Sequence, residues 1–349
     1  MRLNACTRSF RRSLMAACIC AVGFGLGVQS ACAVTIHWVT VGDPGNTADT
    51  TGDPNPAGAV ADAFQIMKYE WTNSQYVDFL NTVDASGTNP NSVYNASMDS
   101  SVRGGIRFTS GSASGSKYAA KSNMGDKPVN FVTWFDAARV SNWLFNGSTG
   151  TSSTETGAYT LNNATSGNAP AVNSGATFYV PTEDQWYKAA YYKGGNTNAG
   201  YWDYATQSDT APTAVTSGTT GIGSAGSTGN FANYNSTADW NGQVGNATTV
   251  GTNGGASAYA AFDMSGNLYE LNDLTGAAGS SRGLRGGNVV NTAFFLSTSY
   301  RNTTAPSFDN SVTGFRLAAV AVPEPSTWVM GAVGLACGGW QMFRRRKRA

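Results

Sequence analysis

The sequence predicts a single α+β domain in which short helices and strands are set among long loops. Three observations predict it: the same helix-start signal occurs three times, brief β-like runs lie between the helices, and long stretches rich in Gly, Ser, Thr, Asn and Ala join the elements. Such stretches carry few bulky residues and read as surface loops or hairpins.

The helices come first. Thr72-Asn73-Ser74-Gln75, Thr133-Trp134-Phe135-Asp136 and Thr182-Glu183-Asp184-Gln185 each have the capping-box form, in which an N-cap hydroxyl and the third helical side chain satisfy orphan amides reciprocally. After the first, Tyr76, Phe79, Leu80 and Val83 follow the spacing of a buried stripe. The second helix carries Ala137, Val140 and Leu144 and is expected to stop at Gly147; the third carries Trp186, Ala189 and Ala190 and is expected to stop at Gly194-Gly195. Between them, Tyr159-Thr160-Leu161 and Thr177-Phe178-Tyr179-Val180 are β-like and are expected to pair as a hairpin. The long loops are residues 146–176 and 205–230. Trp38, Trp71, Trp134, Trp143 and Trp186 lie on helix or strand blocks and are expected in the core, whereas Trp202 and Trp240 sit in loop-like surroundings and are expected to be exposed.

The two ends read as export signals flanking a body of residues 34–320. Arg2, Arg8, Arg11 and Arg12 precede an apolar run and an Ala31-Cys32-Ala33 cleavage site, so residues 1–33 are expected to be a removable signal peptide. A lipoprotein reading through Cys32 is weaker, because Gln29 stands where an aliphatic residue is wanted. Residues 322–349 run from Pro323-Glu324-Pro325 through an apolar segment to Arg344-Arg345-Arg346-Lys347-Arg348. Directly after an apolar segment, that basic cluster reads as a cytoplasmic-side membrane anchor rather than a nucleic-acid contact. Nine of the 22 basic residues lie in these ends but only one of the 21 acids, leaving 13 basic against 20 acidic residues, a net charge of −7. An acidic body makes nucleic acid an unfavourable partner. The five cysteines also lie in the ends, so no disulfide is expected in the body.

The densest chemistry lies between Tyr259 and Leu317. Ser265-Gly266-Asn267 is turn chemistry, since Gly supplies positive φ and Asn tolerates it, and Asp263 and Glu270 flank it. Two carboxylates with the carbonyls of Gly266 and Leu268 suit a hard cation, which takes oxygen ligands of these kinds. The alternative is that Asp263 caps a turn and Glu270 pairs with Arg285 or Arg316. The carboxylate pair would serve glycoside hydrolysis only in principle. No nucleophile has a histidine base, because His37 is the sole histidine, and no phosphate-binding loop of strand-to-helix type is present.

These blocks resemble the sulfatase-modifying factor family, that of the formylglycine-generating enzyme. Asp263 to Glu270, Leu284-Arg285-Gly286-Gly287-Asn288, Tyr300-Arg301-Asn302 and Gly314-Phe315-Arg316-Leu317 match, as do Tyr69 to Asn73, Pro128-Val129-Asn130 to Leu144 and Val180 to Trp186 upstream, in the same order. The resemblance implies an irregular fold related to C-type lectins, with bound calcium at Asp263, Gly266, Leu268 and Glu270. Asn233, Tyr234, Asp239 and Asn241 resemble a second calcium loop. Oxidase members hold copper with two cysteines, but those positions fall near Asn291 and Leu296, neither of which is a thiolate. Copper is therefore not expected, and the histidine cluster of the iron-using relatives is missing too. The segment that forms the family's substrate groove corresponds here to Asn288–Asn302, with Asn288, Asn291, Phe294, Phe295, Arg301 and Asn302 as expected contacts. Because adjacent residues of an extended chain point to opposite faces, at least one of Phe294 and Phe295 is expected in the core.

The Pro-Glu-Pro, apolar segment and basic tail together resemble the PEP-CTERM sorting signal, which implies processing by exosortase-type machinery and delivery to the cell surface or its exopolysaccharide. The expected function is that of a non-catalytic, calcium-stabilised, exported module that binds a surface or exopolysaccharide ligand. An oxidoreductase of the family with an atypical site and a structural matrix component are the alternatives.

Overall fold

The computed structural model describes residues 34–321, so the two terminal segments read above as sorting signals lie outside the described residues. Among the described residues no helix is long and apolar enough to cross a membrane.

In chain order the elements are β1 (Trp38–Val41), β2 (Phe64–Met67), α1 (Asn73–Val83), α2 (Ser97–Ser100), β3 (Ile106–Phe108), β4 (Tyr118–Ala120), α3 (Trp134–Phe145), β5 (Phe178–Tyr179), α4 (Glu183–Tyr191), β6 (Thr213–Ala214), β7 (Phe231–Ala232), β8 (Tyr269–Asn272), β9 (Arg282–Arg285), β10 (Asn302–Thr304), β11 (Thr313–Gly314) and β12 (Ala318–Val320). All three sequence-predicted helices form, and in each both arms of the capping box close: Thr72 with Gln75, Thr133 with Asp136, and Thr182 with Gln185. The first helix ends at Val83, and the second and third end a little before their glycines, at Phe145 and Tyr191. Tyr76, Phe79 and Leu80 are buried, while Val83 is half-buried.

Two four-stranded sheets carry the fold. One has the order β1-β2-β12-β5, antiparallel throughout; the other has the order β10-β9-β8-β11, in which only the β8–β11 pair is parallel. Every residue of β8 and β9 is buried. Their charged side chains therefore need partners within the protein, since a buried unpaired charge is strongly unfavourable.

The expected hairpin does not form. Phe178–Tyr179 pairs instead with β12, Tyr179 opposite Ala318. Tyr159 is held by side chains: its N–H donates to Asn142 Oδ1 at 2.7 Å, and its hydroxyl accepts from Val180 N at 3.0 Å. That hydroxyl also donates to Asp273 Oδ2 at 3.2 Å, so no ladder is needed to satisfy the segment.

The main core joins α1 and α3 to the second sheet. Trp71 stacks on Phe315 at 5.8 Å, Phe79 meets Trp143 edge-on at 5.5 Å, and Trp134 meets Tyr159 edge-on at 5.0 Å. Trp71, Trp134, Trp143 and Trp186 are buried as expected, and Trp38 is half-buried. Trp240 corrects the reading of exposed loop tryptophans: it is buried, donates from Nε1 to Ala247 O at 3.0 Å, and lies under the Lys127 ammonium. Trp202 is half-buried with Lys193 4.1 Å above its ring.

Candidate functional site: an aromatic face beside a buried charge cluster

Gly266 occupies the turn ahead of β8 with φ of +86°, and a Cβ there would lie 2.4 Å from the carbonyl oxygen of Asn233. Only glycine fits this approach. Asp263 and Asn267 also adopt positive φ, 58° and 61°. The turn thereby aims Asn267 at Glu70: Asn267 Nδ2 donates to Glu70 Oε2 at 2.7 Å, and the Leu268 N–H donates to Glu70 Oε1 at 3.2 Å.

Glu270 follows on β8 with both oxygens engaged. Arg316 Nε donates to Oε2 and Arg316 Nη2 to Oε1, each at 2.6 Å, while Trp186 Nε1 donates to Oε2 at 2.7 Å. Asp263 accepts from Gly251 N at 2.5 Å and from Asn253 Nδ2 at 2.9 Å. Of the calcium set Asp263, Gly266, Leu268 and Glu270, the Glu270 carboxylate is engaged by Arg316 and Trp186. Its geometry is that of the alternative ion pair, with Arg316 as partner. Asn233 likewise works as an amide hub, donating from Nδ2 to Asn246 O, Thr248 Oγ1 and Asn267 Oδ1. Among the described residues no group of three or more His, Cys, Asp and Glu side chains is arranged to hold a metal.

Sequence reasoning missed Glu70 as a member of this cluster. Burial pushes its carboxyl well above the ordinary value, and the charges of Asp263 and Glu270 push it further, against the opposing pull of Arg316 and Asn267. Burial also raises Asp263. The Tyr69–Asn73 block contains Glu70, but nothing local names its partners, which lie about 200 residues further along the chain.

Beyond the Gly286-Gly287 turn lies the expected binding segment, and its residues divide. Asn288 is buried and its Oδ1 accepts from Val290 N, so it shapes a turn. Asn291 is half-buried and its Oδ1 accepts from Asn288 N at 3.0 Å. Asn302 Oδ1 accepts from Thr303 N. Residues Ala293–Leu296 form a 3-10 turn, not the extended chain on which opposite-facing phenylalanines were expected. Phe294 is 56 % exposed and Phe295 half-buried, while Leu296 is fully buried and its carbonyl accepts from Tyr191 Oη at 3.0 Å.

The two phenylalanines and Tyr300 form one aromatic face. Phe294 meets Phe295 at 5.7 Å and Tyr300 at 5.6 Å, and Phe295 meets Tyr300 at 4.6 Å, all edge-on. Tyr269 stacks behind Tyr300 at 6.4 Å. Arg301 follows, its Nε donating to Glu183 Oε1 and Oε2 at 2.9 and 2.8 Å. Glu183 also receives Arg285 Nε at 2.9 Å. The terminal nitrogens of Arg301 make no hydrogen bond among the described residues, and its side chain is 30 % exposed. Rings that offer apolar contact are thus followed in sequence by an arginine with N–H donors not engaged among the described residues, chemistry suited to orienting a polar ligand.

A family model for the sulfatase-modifying factor enzyme 1-like domain matches residues 33–321. A search of curated proteins finds no match. Among solved structures, the chain is similar to CarF, with 19 % identity and a TM-score of 0.50 over 83 % of this chain and all of that one. It is also similar to Treponema denticola variable protein 1 at 19 % identity and a TM-score of 0.47, covering 81 % of this chain and 95 % of that one. PvdO from Pseudomonas aeruginosa aligns at 18 % identity and a TM-score of 0.40 over 82 % of this chain and 92 % of that one. At these identities a likeness concerns the fold alone.

Proposed function

The chain belongs to the family of sulfatase-modifying factor enzyme 1-like domains, and from that premise we propose that it is a non-catalytic module that binds a ligand at the cell surface or in the exopolysaccharide matrix. The observation that carries this reading is the exposed ring of Phe294, seated against Phe295 and Tyr300 with the free guanidinium nitrogens of Arg301 following in sequence. More than half of that ring faces solvent next to two further aromatics, which leaves it a surface on which a ligand can stack.

The positions that align with the oxidase thiols support the non-catalytic part. Leu296 is a packed aliphatic, and the amide of Asn291 is tied to Asn288. Neither can cycle between thiolate and disulfide or hold a soft metal. Export through the terminal signals, with exosortase-type processing and transient anchoring by residues 322–349, completes the proposal. It supplies the compartment in which such a ligand is met.

The test is retention of the purified protein on the producing organism's own exopolysaccharide. Wild type is retained, and Phe294→Ala and Arg301→Ala each reduce retention about tenfold or more at unchanged melting temperature. Equal retention of all three proteins overturns the binding face. Conversion of a sulfatase-type cysteine peptide to its aldehyde, above a no-protein control with copper and oxygen supplied, overturns the non-catalytic reading.

A further inference from the structure

A cavity of about 330 Å³ opens beside the first turn of α3, and Asn91, Tyr94, Phe131, Asp136, Arg139 and Asp309 are among its lining residues. That volume lies at the lower end of the range of small-molecule sites, about 300–1,000 Å³. The cavity shares no lining residue with the Asn288–Asn302 segment.

Its wall holds polar groups whose capacity the protein does not use. Arg139 is fully buried: Nε and Nη2 hold Glu155 at 2.8 and 3.2 Å, Nη2 also donates to Ala164 O at 2.8 Å, and Nη1 has no partner. Asp136 is 4 % exposed; its Oδ2 accepts from Thr133 N at 2.8 Å and Thr133 Oγ1 at 2.7 Å, and its Oδ1 makes no hydrogen bond among the described residues. Asp309 accepts from Asn95 at 3.0 Å through Oδ1, leaving Oδ2 open. Arg139 Nη1 is a buried donor left without a partner, which is costly, and the open oxygens of Asp136 and Asp309 remain able to accept from a ligand. The rings of Tyr94 and Phe131 add apolar surface, Tyr94 being backed by Tyr118 at 5.1 Å. Phe131 holds φ at 56°, an uncommon conformation for a bulky residue.

Charge narrows the ligand. Glu155 neutralises Arg139, so Asp136 and Asp309 leave the cavity negative and disfavour an anion. Among the described residues a divalent cation would lack a third carboxylate or histidine there. What remains is a molecule that donates to carboxylates, accepts from a guanidinium and turns a C–H face to aromatic rings. We propose that this cavity binds a neutral saccharide of one or two pyranose rings, with sugar hydroxyls donating to Asp136 Oδ1 and Asp309 Oδ2 and accepting from Arg139 Nη1.

The experiment is calorimetric titration of the full chain with glucose, galactose, mannose, N-acetylglucosamine and their disaccharides, repeated on Asp309→Ala and Arg139→Lys. At least one sugar binds wild type, and Asp309→Ala weakens it about tenfold at unchanged melting temperature. Arg139→Lys weakens it as well; should that variant fail to fold, the half-buried Asp309 still decides the question. Absence of binding by every sugar at millimolar concentration overturns the proposal, as does binding that Asp309→Ala leaves intact. Loss of binding on Phe294→Ala alone would move the sugar to the aromatic face and overturn it equally, and tighter binding of choline than of any sugar would replace the saccharide with a cation.

Discussion

Arg316 grips Glu270 at two points, Nε to Oε2 and Nη2 to Oε1, both at 2.6 Å, and neither side chain is exposed to solvent. The parallel pairing of β11 with β8 sets Gly314 opposite Glu270 and brings Arg316 within reach. Removing one partner leaves the other charge buried and unpaired. Arg316→Met is expected to lose about 3–5 kcal/mol of unfolding free energy, read from urea denaturation. Adding Glu270→Leu to Arg316→Met should recover much of that loss, and a double variant no better than the single one would refute the pairing as the cause.

The same geometry bears on calcium. With the Glu270 carboxylate engaged by Arg316 and Trp186, the melting temperature is expected to be the same in chelator and in millimolar calcium. A ligand bound only by the native state at 100 times its Kd would contribute about 2.7 kcal/mol, readily seen in a thermal scan. A calcium-dependent rise abolished by Glu270→Ala would show that the carboxylate leaves Arg316 for the ion.

Glu70 makes a pH prediction. Its folded-state pKa is raised, chiefly by burial, above the ordinary value of 4.5. The folded protein therefore binds the proton more tightly than the unfolded chain, and the stability this gives is fully present below pH 4.5 and is lost as pH rises toward the folded pKa. Glu70→Gln, which cannot ionise, should be more stable than wild type at pH 8 and should lose that advantage near pH 4.5. Parallel stability curves for the two proteins across this range would contradict it.

Phe294 and Leu296 separate recognition from scaffold. Phe294 is 56 % exposed, and Leu296 is fully buried. Phe294→Ala is expected to change stability by about 0.5 kcal/mol at most, whereas Leu296→Ala should cost about 2–5 kcal/mol. Equal costs in chemical denaturation would make Phe294 part of the core.

What was legible in the sequence was what is decided locally. Each capping box closes over three residues, so the starts of α1, α3 and α4 could be read directly. The partner of Phe178–Tyr179 could not, because β12 is some 140 residues further on and nothing near Tyr179 announces it. Tyr159 looked like strand because aromatic runs favour strands, but the amide of Asn142 satisfies its N–H instead. Trp240 sat in polar surroundings, yet Lys127 and the Ala247 carbonyl, neither adjacent in sequence, give it a buried seat. At the site, the sequence offered Glu270 two arginines as alternatives to calcium, and only the pairing of β11 with β8 chooses between them. The cavity beside α3 left no motif, since its walls come from four separated stretches of chain.

The last strands have a bearing on how the molecule reaches this state. β11 completes one sheet and β12, separated from it by Phe315-Arg316-Leu317, is an inner strand of the other. β12 pairs with β2 across some 250 residues, and Arg316 supplies the counter-charge for Glu270. A growing chain that has not yet reached Thr313 lacks a strand of each sheet and leaves a carboxylate without its partner. Native closure therefore waits until these two strands have been made, and such distant pairings make that closure slow. Until then the chain stays open to whatever machinery handles it, and a truncation only ten residues short of Val320 should yield protease-sensitive material in place of a slightly smaller domain.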